Sequence, residues 1–125
     1  MIHLFQGNIF SSKCDLIIIP CNSKGGVTDS IENELAMNDV PALDKPIAAG
    51  RVRFIFDFRR LTIASVIGHA ASVDVSMRAS NEDILRSILQ SIQQCCKKYS
   101  LQKVNIPLLG TGAGRLPVNK SYEIM

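Results

Sequence analysis

Three spaced glycines near the C-terminal end of the sequence lie in a stretch whose residue types could bind an anion. The apolar segment 105–109 runs into Gly110, Thr111, Gly112, Ala113, Gly114 and Arg115, and Leu116 and Pro117 close the stretch. Because glycine has no Cβ atom, its backbone can take positive φ and turn successive N–H groups toward one point. Such a nest binds anions, and the Thr111 hydroxyl adds a further donor. The pattern predicts a phosphate-binding loop that follows a buried strand.

Two familiar glycine motifs do not fit this stretch. A Walker loop ends in Gly-Lys-Ser/Thr, whereas Gly114 is followed by Arg115 and Leu116. A dinucleotide fingerprint needs glycine at its sixth place, which Arg115 occupies, and then a helix and a strand that do not fit before Met125. The other interpretation left open is a strand-to-helix turn in which the glycines serve only the turn geometry.

A second glycine loop follows another apolar segment. Residues 15–20 are apolar without alternation, which is typical of a central strand covered by helices on both faces. The loop after it contains Asn22, Gly25, Gly26 and Val27. Ligands of open α/β sheets bind at the carboxyl ends of strands, so two neighbouring strands would present the two loops as a two-sided phosphate clamp.

The order of predicted strands and helices along the sequence favours an α/β fold, a three-layer α/β/α sandwich with a mixed central sheet. A single domain is expected over residues 1–125. A first helix has Thr28 or Asp29 as its cap and is stopped by residues 38–41, and a second helix over 80–99 begins with a Ser80–Asp83 capping pattern. Polar and apolar residues alternate over 51–56, which indicates a strand at a sheet edge. Further strands are expected over 2–5, 61–67 and 104–108, and the small residues 68–72 are expected to form a connection.

The composition narrows the classes of function. The chain has 125 residues, of which 46% are hydrophobic, with no run near the roughly 18 residues of a membrane helix and no secretion signal, so a cytoplasmic location without membrane association is expected. A formal charge of +3, no tryptophan and two tyrosines argue against a nucleic-acid partner and suit an anionic small molecule. The four cysteines and two histidines match no metal or redox spacing, so neither a metal nor a cofactor is expected.

Four pieces of the sequence, taken in order, resemble the macro domain family of ADP-ribose-binding modules. These pieces are Gly7-Asn8-Ile9, the segment 15–22, Gly25-Gly26-Val27, and 107–114 with Leu116-Pro117. The resemblance implies a ligand that is ADP-ribose or a related nucleotide diphosphate, either free or attached to a macromolecule. The family continues past the second loop with a full helix and a strand, which this sequence lacks. It is therefore a fragment of a larger parent chain, a minimal variant, or a domain whose sheet a partner or a second copy covers.

The resemblance also implies roles for individual residues. Asn8 and Ile9 would meet the base, with Asn8 standing where the family usually has an aspartate that accepts from the adenine amino group. Asn22 would approach the distal ribose. The phosphates would lie against Gly25, Gly26 and Val27 on one side and against the second loop on the other. That second side comprises Leu109, Gly110, Thr111, Gly112, Ala113, Gly114 and Arg115, and Arg115 either steers phosphate or lies in solvent.

Hydrolytic members of the family commonly carry Gly-Gly-Val-Asp in the first loop, and here Thr28 stands at the aspartate position. Threonine has no useful basicity near neutral pH, which favours a binding module. One alternative is an ADP-ribosyl hydrolase acting on ADP-ribosyl esters or ADP-ribose phosphate, in which Asn22 orients the ribose and Asp29 supplies the base. Another is a vestigial interaction or regulatory domain. A thiol nucleophile at Cys21, paired with His69 or His3, competes with the interpretation of a small buried cysteine.

Overall fold

The computed structural model describes residues 8–10, 12–38, 40, 42–43, 45–56, 64–76 and 79–109. In chain order the elements are β1 (Cys14–Asn22), α1 (Asp29–Met37), β2 (Val52–Phe56), β3 (Ala64–Val73), α2 (Glu82–Tyr99) and β4 (Val104–Asn105). The strand expected over 2–5, the second glycine loop from Gly110 to Arg115 and everything after Arg115 lie outside the described residues.

The four described strands form one mixed sheet in the order β2-β3-β1-β4. β1 pairs in parallel with both β3 and β4, whereas β2 pairs antiparallel with β3. The sequence-based expectation of a mixed sheet is confirmed, and so is the placement of β2 at an edge of the described sheet. β1 lies inside it, and its side chains from Leu16 to Ile19 are fully buried on both faces.

The two helices cover opposite faces of the sheet, which gives the expected three layers. On one face, Leu85 and Ile88 of α2 pack into a core with Leu16 and Ile18 of β1. On the other face, Leu35 of α1 packs with the intervening residues of the same strand, Ile17 and Ile19. Alternate residues of a strand point to opposite faces, so an uninterrupted apolar β1 serves both cores.

Helix α2 begins one residue later than its capping pattern suggests. The Asn81 side chain, rather than that of Ser80, caps the helix, because its Oδ1 accepts a hydrogen bond from the Ile84 N–H at 2.9 Å. Asparagine and serine are both favoured at this position, so the sequence pattern left two adjacent choices. The last turn carries Lys97 and Lys98, as the helix dipole favours.

Two expectations about strand extent were wrong. Residues 68–72 are not a connection, because β3 runs through them to Val73. A Cβ atom at Gly68 would lie 2.9 Å from Ile18 Cδ1 and 3.2 Å from Phe54 Cε1, so the small residue serves close packing inside the strand. β4 has only two residues, Val104 and Asn105, although a strand as far as Leu108 was expected.

The Asp15 carboxylate joins the start of β1 to the segment between α2 and β4. Its Oδ2 accepts hydrogen bonds from the backbone N–H groups of Lys103 and Gln102, each at 2.9 Å. These two bonds lower the pKa of Asp15 below its ordinary value of 3.8, because they favour the ionised form. The folded state therefore gains stability from Asp15 above that ordinary pKa, and the gain disappears as pH falls through the lowered value.

Replacing Asp15 with alanine is expected to lower the free energy of unfolding at pH 7 by roughly 1 kcal/mol, a figure reduced for the solvent exposure of the carboxylate. Urea denaturation of both proteins across the acidic range measures the difference. The deficit should shrink as pH falls below 3.8, because wild-type Asp15 then becomes protonated too. A deficit that stays constant down to pH 2 would contradict this role for the carboxylate.

Candidate functional site

The described chain leaves β1 and β4 at the same edge of the sheet. β1 and β4 are parallel neighbours, with Leu16 opposite Val104 and Ile17 opposite Asn105. The first glycine loop, residues 22–27, follows β1, and the chain after β4 leads through Leu109 toward Gly110. The condition for a two-sided clamp, that the two strands lie side by side, is therefore met.

Asn22 organises the first glycine loop from within. Its Oδ1 accepts hydrogen bonds from the backbone N–H groups of Lys24 at 2.9 Å and Gly26 at 3.0 Å. Its backbone carbonyl accepts from the Gly25 N–H at 2.9 Å, and its own N–H donates to the Gly26 carbonyl at 2.9 Å. Three successive N–H groups thus turn inward onto one residue. The Asn22 amide nitrogen is then the side-chain group that can reach a ligand, and its contact with a ribose stays a prediction.

A neighbouring segment of backbone holds the loop from outside. Gly25 has φ +84°, and a Cβ atom there would overlap the Lys45 carbonyl oxygen and lie 2.9 Å from the Lys45 nitrogen. The Ile47 N–H donates to the Ser23 carbonyl at 3.0 Å, which fixes the same segment beside the loop. Glycine is required at position 25 both for its left-handed backbone and for this close approach.

The turn after β3 is joined to the other side of the loop. The Ser23 N–H donates to the Val73 carbonyl at 2.9 Å, and the Ser23 Oγ accepts from the Val75 N–H at 2.8 Å. Asp74 Oδ1 accepts from both the N–H and the hydroxyl of Ser76, at 3.0 and 2.7 Å. The first glycine loop is thus held by backbone on both sides before any ligand arrives.

The donors that stay open lie at the start of α1. Thr28 is the N-cap residue, and its side chain makes no capping hydrogen bond. Among the described residues, no oxygen accepts a hydrogen bond from the Val27 N–H. The first N–H groups of a helix carry partial positive charge and bind anions. Asp29 is exposed as the first helical residue, where a carboxylate favours the helix dipole.

The residues predicted to meet the base lie on a segment held between α1 and β4. Asn8 Oδ1 accepts from the Phe10 N–H at 2.9 Å, and Asn8 Nδ2 donates to Glu34 Oε1 at 2.8 Å. The Ile9 side chain packs against the core beside α1, and its carbonyl accepts from Asn105 Nδ2 at 2.9 Å. Asn8 is therefore held by Glu34 of α1, and Ile9 is held by Asn105 of β4.

Three other residues named from the sequence are buried. Burial raises the pKa of Cys21 to about 11, so the thiol stays protonated at neutral pH and is a poor nucleophile. His69 is fully buried inside β3, opposite Ile19, rather than at a strand end, and His3 lies outside the described residues. Leu109 is fully buried in the core beside α2, so only its backbone can face a ligand.

Sequence reasoning overlooked two polar residues that position this region. Asn105 Nδ2 donates to the carbonyls of Ile9 and Ser12, and Glu34 accepts from Asn8. The one available signal was a polar residue next to apolar positions of a strand or helix, which is too common to single them out. Over the ranges that the structure describes, no group of three His, Cys, Asp or Glu side chains could hold a metal ion. No described helix has the length and apolar character to cross a membrane.

Comparison with known proteins gives a consistent result. A family model described as Macro domain matches residues 23–125. The fold is similar to the macrodomain of Mycobacterium tuberculosis DarG, with a TM-score of 0.79 and 13% identity over 98% of this chain and 86% of that chain. The macrodomain of Thermus aquaticus DarG gives a TM-score of 0.73 and 18% identity over 95% of this chain and 83% of that chain.

A third similar structure is that of Thermosipho africanus DarTG in complex with ADP-ribose. Its TM-score is 0.72 at 14% identity, over 95% of this chain but only 36% of that chain. The search of curated proteins found no match. At identities this low, the similarity to solved structures shows the fold alone.

Proposed function

Because the chain belongs to the macro domain family, we propose that it binds ADP-ribose or a related nucleotide diphosphate between its two glycine loops. The observation that carries the proposal is the parallel pairing of β1 with β4. Because parallel strands send the chain out at the same edge of the sheet, the two loops would meet there and a diphosphate could bridge them. The ligand is either free or attached to a macromolecule as an ADP-ribosyl group.

The first loop would hold the diphosphate with the N–H groups that the structure leaves open. These belong to Val27 and to the first turn of α1, since the N–H groups of Gly25 and Gly26 bind Asn22. The role of the two glycines is then to shape the loop so that the helix start faces the ligand. A helix N-terminus favours an anion through both its dipole and its unpaired donors.

The second loop would close the clamp from the side of β4. Leu109 anchors its beginning in the core, and the glycines at 110, 112 and 114 allow the backbone N–H groups to converge on the phosphates. The Thr111 hydroxyl adds a donor, and Arg115 adds a positive charge that favours the diphosphate. Two solved structures of this fold, Thermosipho africanus DarTG and an Oceanobacillus iheyensis macrodomain variant, carry ADP-ribose, which supports this choice of ligand.

Binding rather than hydrolysis is proposed because the part of the site that the structure describes holds no assembled general base for hydrolysis. Thr28 is the N-cap residue of α1, at the position where the resemblance implies an aspartate in hydrolytic relatives, and Asp29 is an exposed residue of the first helical turn. A general base must lie within hydrogen-bond reach of the water it activates, and no described contact directs Asp29 toward the first loop.

The direct test is calorimetric titration of ADP-ribose into the purified protein, with AMP, ADP and NAD as comparators. We expect micromolar binding of ADP-ribose and weaker binding of AMP, which lacks the diphosphate. Gly112→Glu should abolish binding, since it adds a side chain and a negative charge where the phosphates are expected. Gln93→Glu, which adds the same charge on an exposed face of α2, should leave binding unchanged.

Two outcomes would contradict the proposal. One is an absence of heat for ADP-ribose with a folded wild-type protein, and the other is equal affinity in Gly112→Glu. Circular dichroism of each variant shows whether a loss of binding is a loss of fold.

A further inference from the structure

A carboxylate of α1 contacts one of the residues predicted to meet the base. Asn8, which carries no charge, donates its Nδ2 hydrogen to Glu34 Oε1 at 2.8 Å. The same amide accepts from the Phe10 N–H at 2.9 Å through Oδ1. Both bonds require the same orientation of the Asn8 amide, with its nitrogen toward the helix. The charged acceptor at this end of the site is thus the Glu34 side chain.

Glu34 is held from both sides. Asn38 Nδ2 donates to Glu34 Oε2 at 3.3 Å and to the Glu34 carbonyl at 2.8 Å, one turn further along α1. Each carboxylate oxygen therefore has one amide donor, and an ionised carboxylate offers about four lone-pair sites in all. Within the described part of the chain, no lysine or arginine lies within ion-pair distance of Glu34. The carboxylate therefore has further capacity to accept hydrogen bonds.

The pairing of Asn8 with Glu34 also explains why residue 8 is an amide. An aspartate at position 8 would place two carboxylates at hydrogen-bond distance, and like charges so close together disfavour the ionised forms. Asparagine removes that repulsion and adds a donor that fixes Glu34. The negative charge therefore lies on the helix rather than on the segment 8–10.

We propose that Glu34 is the residue that selects the base, by accepting a hydrogen bond from the exocyclic amine of a 6-aminopurine nucleotide. The inference rests on the proposed function and on the position of the base beside Asn8 and Ile9 that the macro domain resemblance implies. A 6-oxopurine presents an acceptor oxygen at the same position, and a fixed carboxylate repels it. The site would thus discriminate between the two purines through one charge-assisted hydrogen bond.

The experiment compares ADP-ribose with inosine diphosphate ribose, its 6-oxo counterpart, by calorimetry on the whole protein. We expect wild-type protein to prefer ADP-ribose by roughly tenfold to a hundredfold, as one charge-assisted hydrogen bond allows. Glu34→Gln should reduce the preference to within about threefold or reverse it, since a glutamine amide can donate to the 6-oxo group. Glu32→Gln, on an exposed position of the same helix, should keep the wild-type preference.

A double variant tests the exchange of charge directly. In Asn8→Asp with Glu34→Gln, the glutamine amide can donate to the new aspartate, and the preference for ADP-ribose should return. Binding of ADP-ribose with an unchanged preference in Glu34→Gln would overturn this inference and leave the proposed function standing. An absence of binding of both nucleotides to the wild-type protein would overturn the proposed function and this inference together.

Discussion

Replacing Gly25 with valine is expected to abolish nucleotide binding. Gly25 has φ +84°, and any Cβ atom there overlaps the backbone of Lys45. A β-branched residue cannot adopt this conformation without strain of about 1–2 kcal/mol, even before the overlap is counted. The loop must therefore rearrange, and the three N–H groups gathered on Asn22 separate. We expect the affinity for ADP-ribose to fall by at least about 100-fold, or about 2.7 kcal/mol.

Calorimetry and thermal denaturation of the same samples separate loop geometry from general unfolding. Lys24→Ala is the matched control, because Lys24 is exposed in the same loop and only its backbone N–H is used. That variant should bind within about threefold of wild type, since removing one exposed charge changes the energy by less than about 1 kcal/mol. A Gly25→Val protein that is folded and binds with wild-type affinity would show that the first glycine loop does not form the site.

Replacing Gly68 with valine is expected to have the largest effect on stability. A Cβ atom at this position already lies 2.9 Å from Ile18 Cδ1 and 3.2 Å from Phe54 Cε1 and Val52 Cγ1. The two further methyl groups of valine have no space beside Ile18 of β1 and the side chains of β2 unless the strands move. We expect the free energy of unfolding to fall by about 3 kcal/mol, the upper part of the usual range for overpacked cores.

Thermal denaturation should show this as a fall in Tm of roughly 10 °C for a domain of this size. Gly68→Ala should cost only about 1 kcal/mol, because the flexible end of Ile18 can move and the unfolded chain loses entropy. Arg53→Val places the same side chain on an exposed position of β2 and should change stability by less than about 0.5 kcal/mol. A Gly68→Val protein as stable as wild type would contradict the close packing of Gly68 against Ile18, Val52 and Phe54.

Strong apolar patterns in the sequence predicted the framework of this fold. The uninterrupted β1 and the helical spacing of Ile84, Leu85 and Ile88 each correspond to an element with the expected burial. Patterns of this kind succeed because burial of apolar surface dominates the folding energy. The edge strand β2 was predicted from its alternating polar and apolar residues, although Ile55 packs against the core on the opposite face from Val52 and Phe54.

Other features depend on contacts between distant residues and leave no local pattern. Small residues over 68–72 resemble a loop, and only the packing of Gly68 against Ile18 and Phe54 explains why they form a strand. The sequence marked Gly25 as part of a phosphate loop, but the close approach of the Lys45 backbone, which also requires glycine there, exists only in the folded chain. Tertiary partners decide such cases, and the sequence alone does not identify the partner.

The parallel pairing of β1 with β4 also has a consequence for how the chain folds. The hydrogen bond from the Lys103 N–H to Asp15 joins residues that are 88 positions apart. Closing so long a loop carries an entropic cost that must be met before the paired strands contribute stability, which makes folding slow. A chain leaving the ribosome cannot pair β1 with β4 until Asn105 has emerged, so the ligand edge forms only after β1, both described helices and β4 have been made.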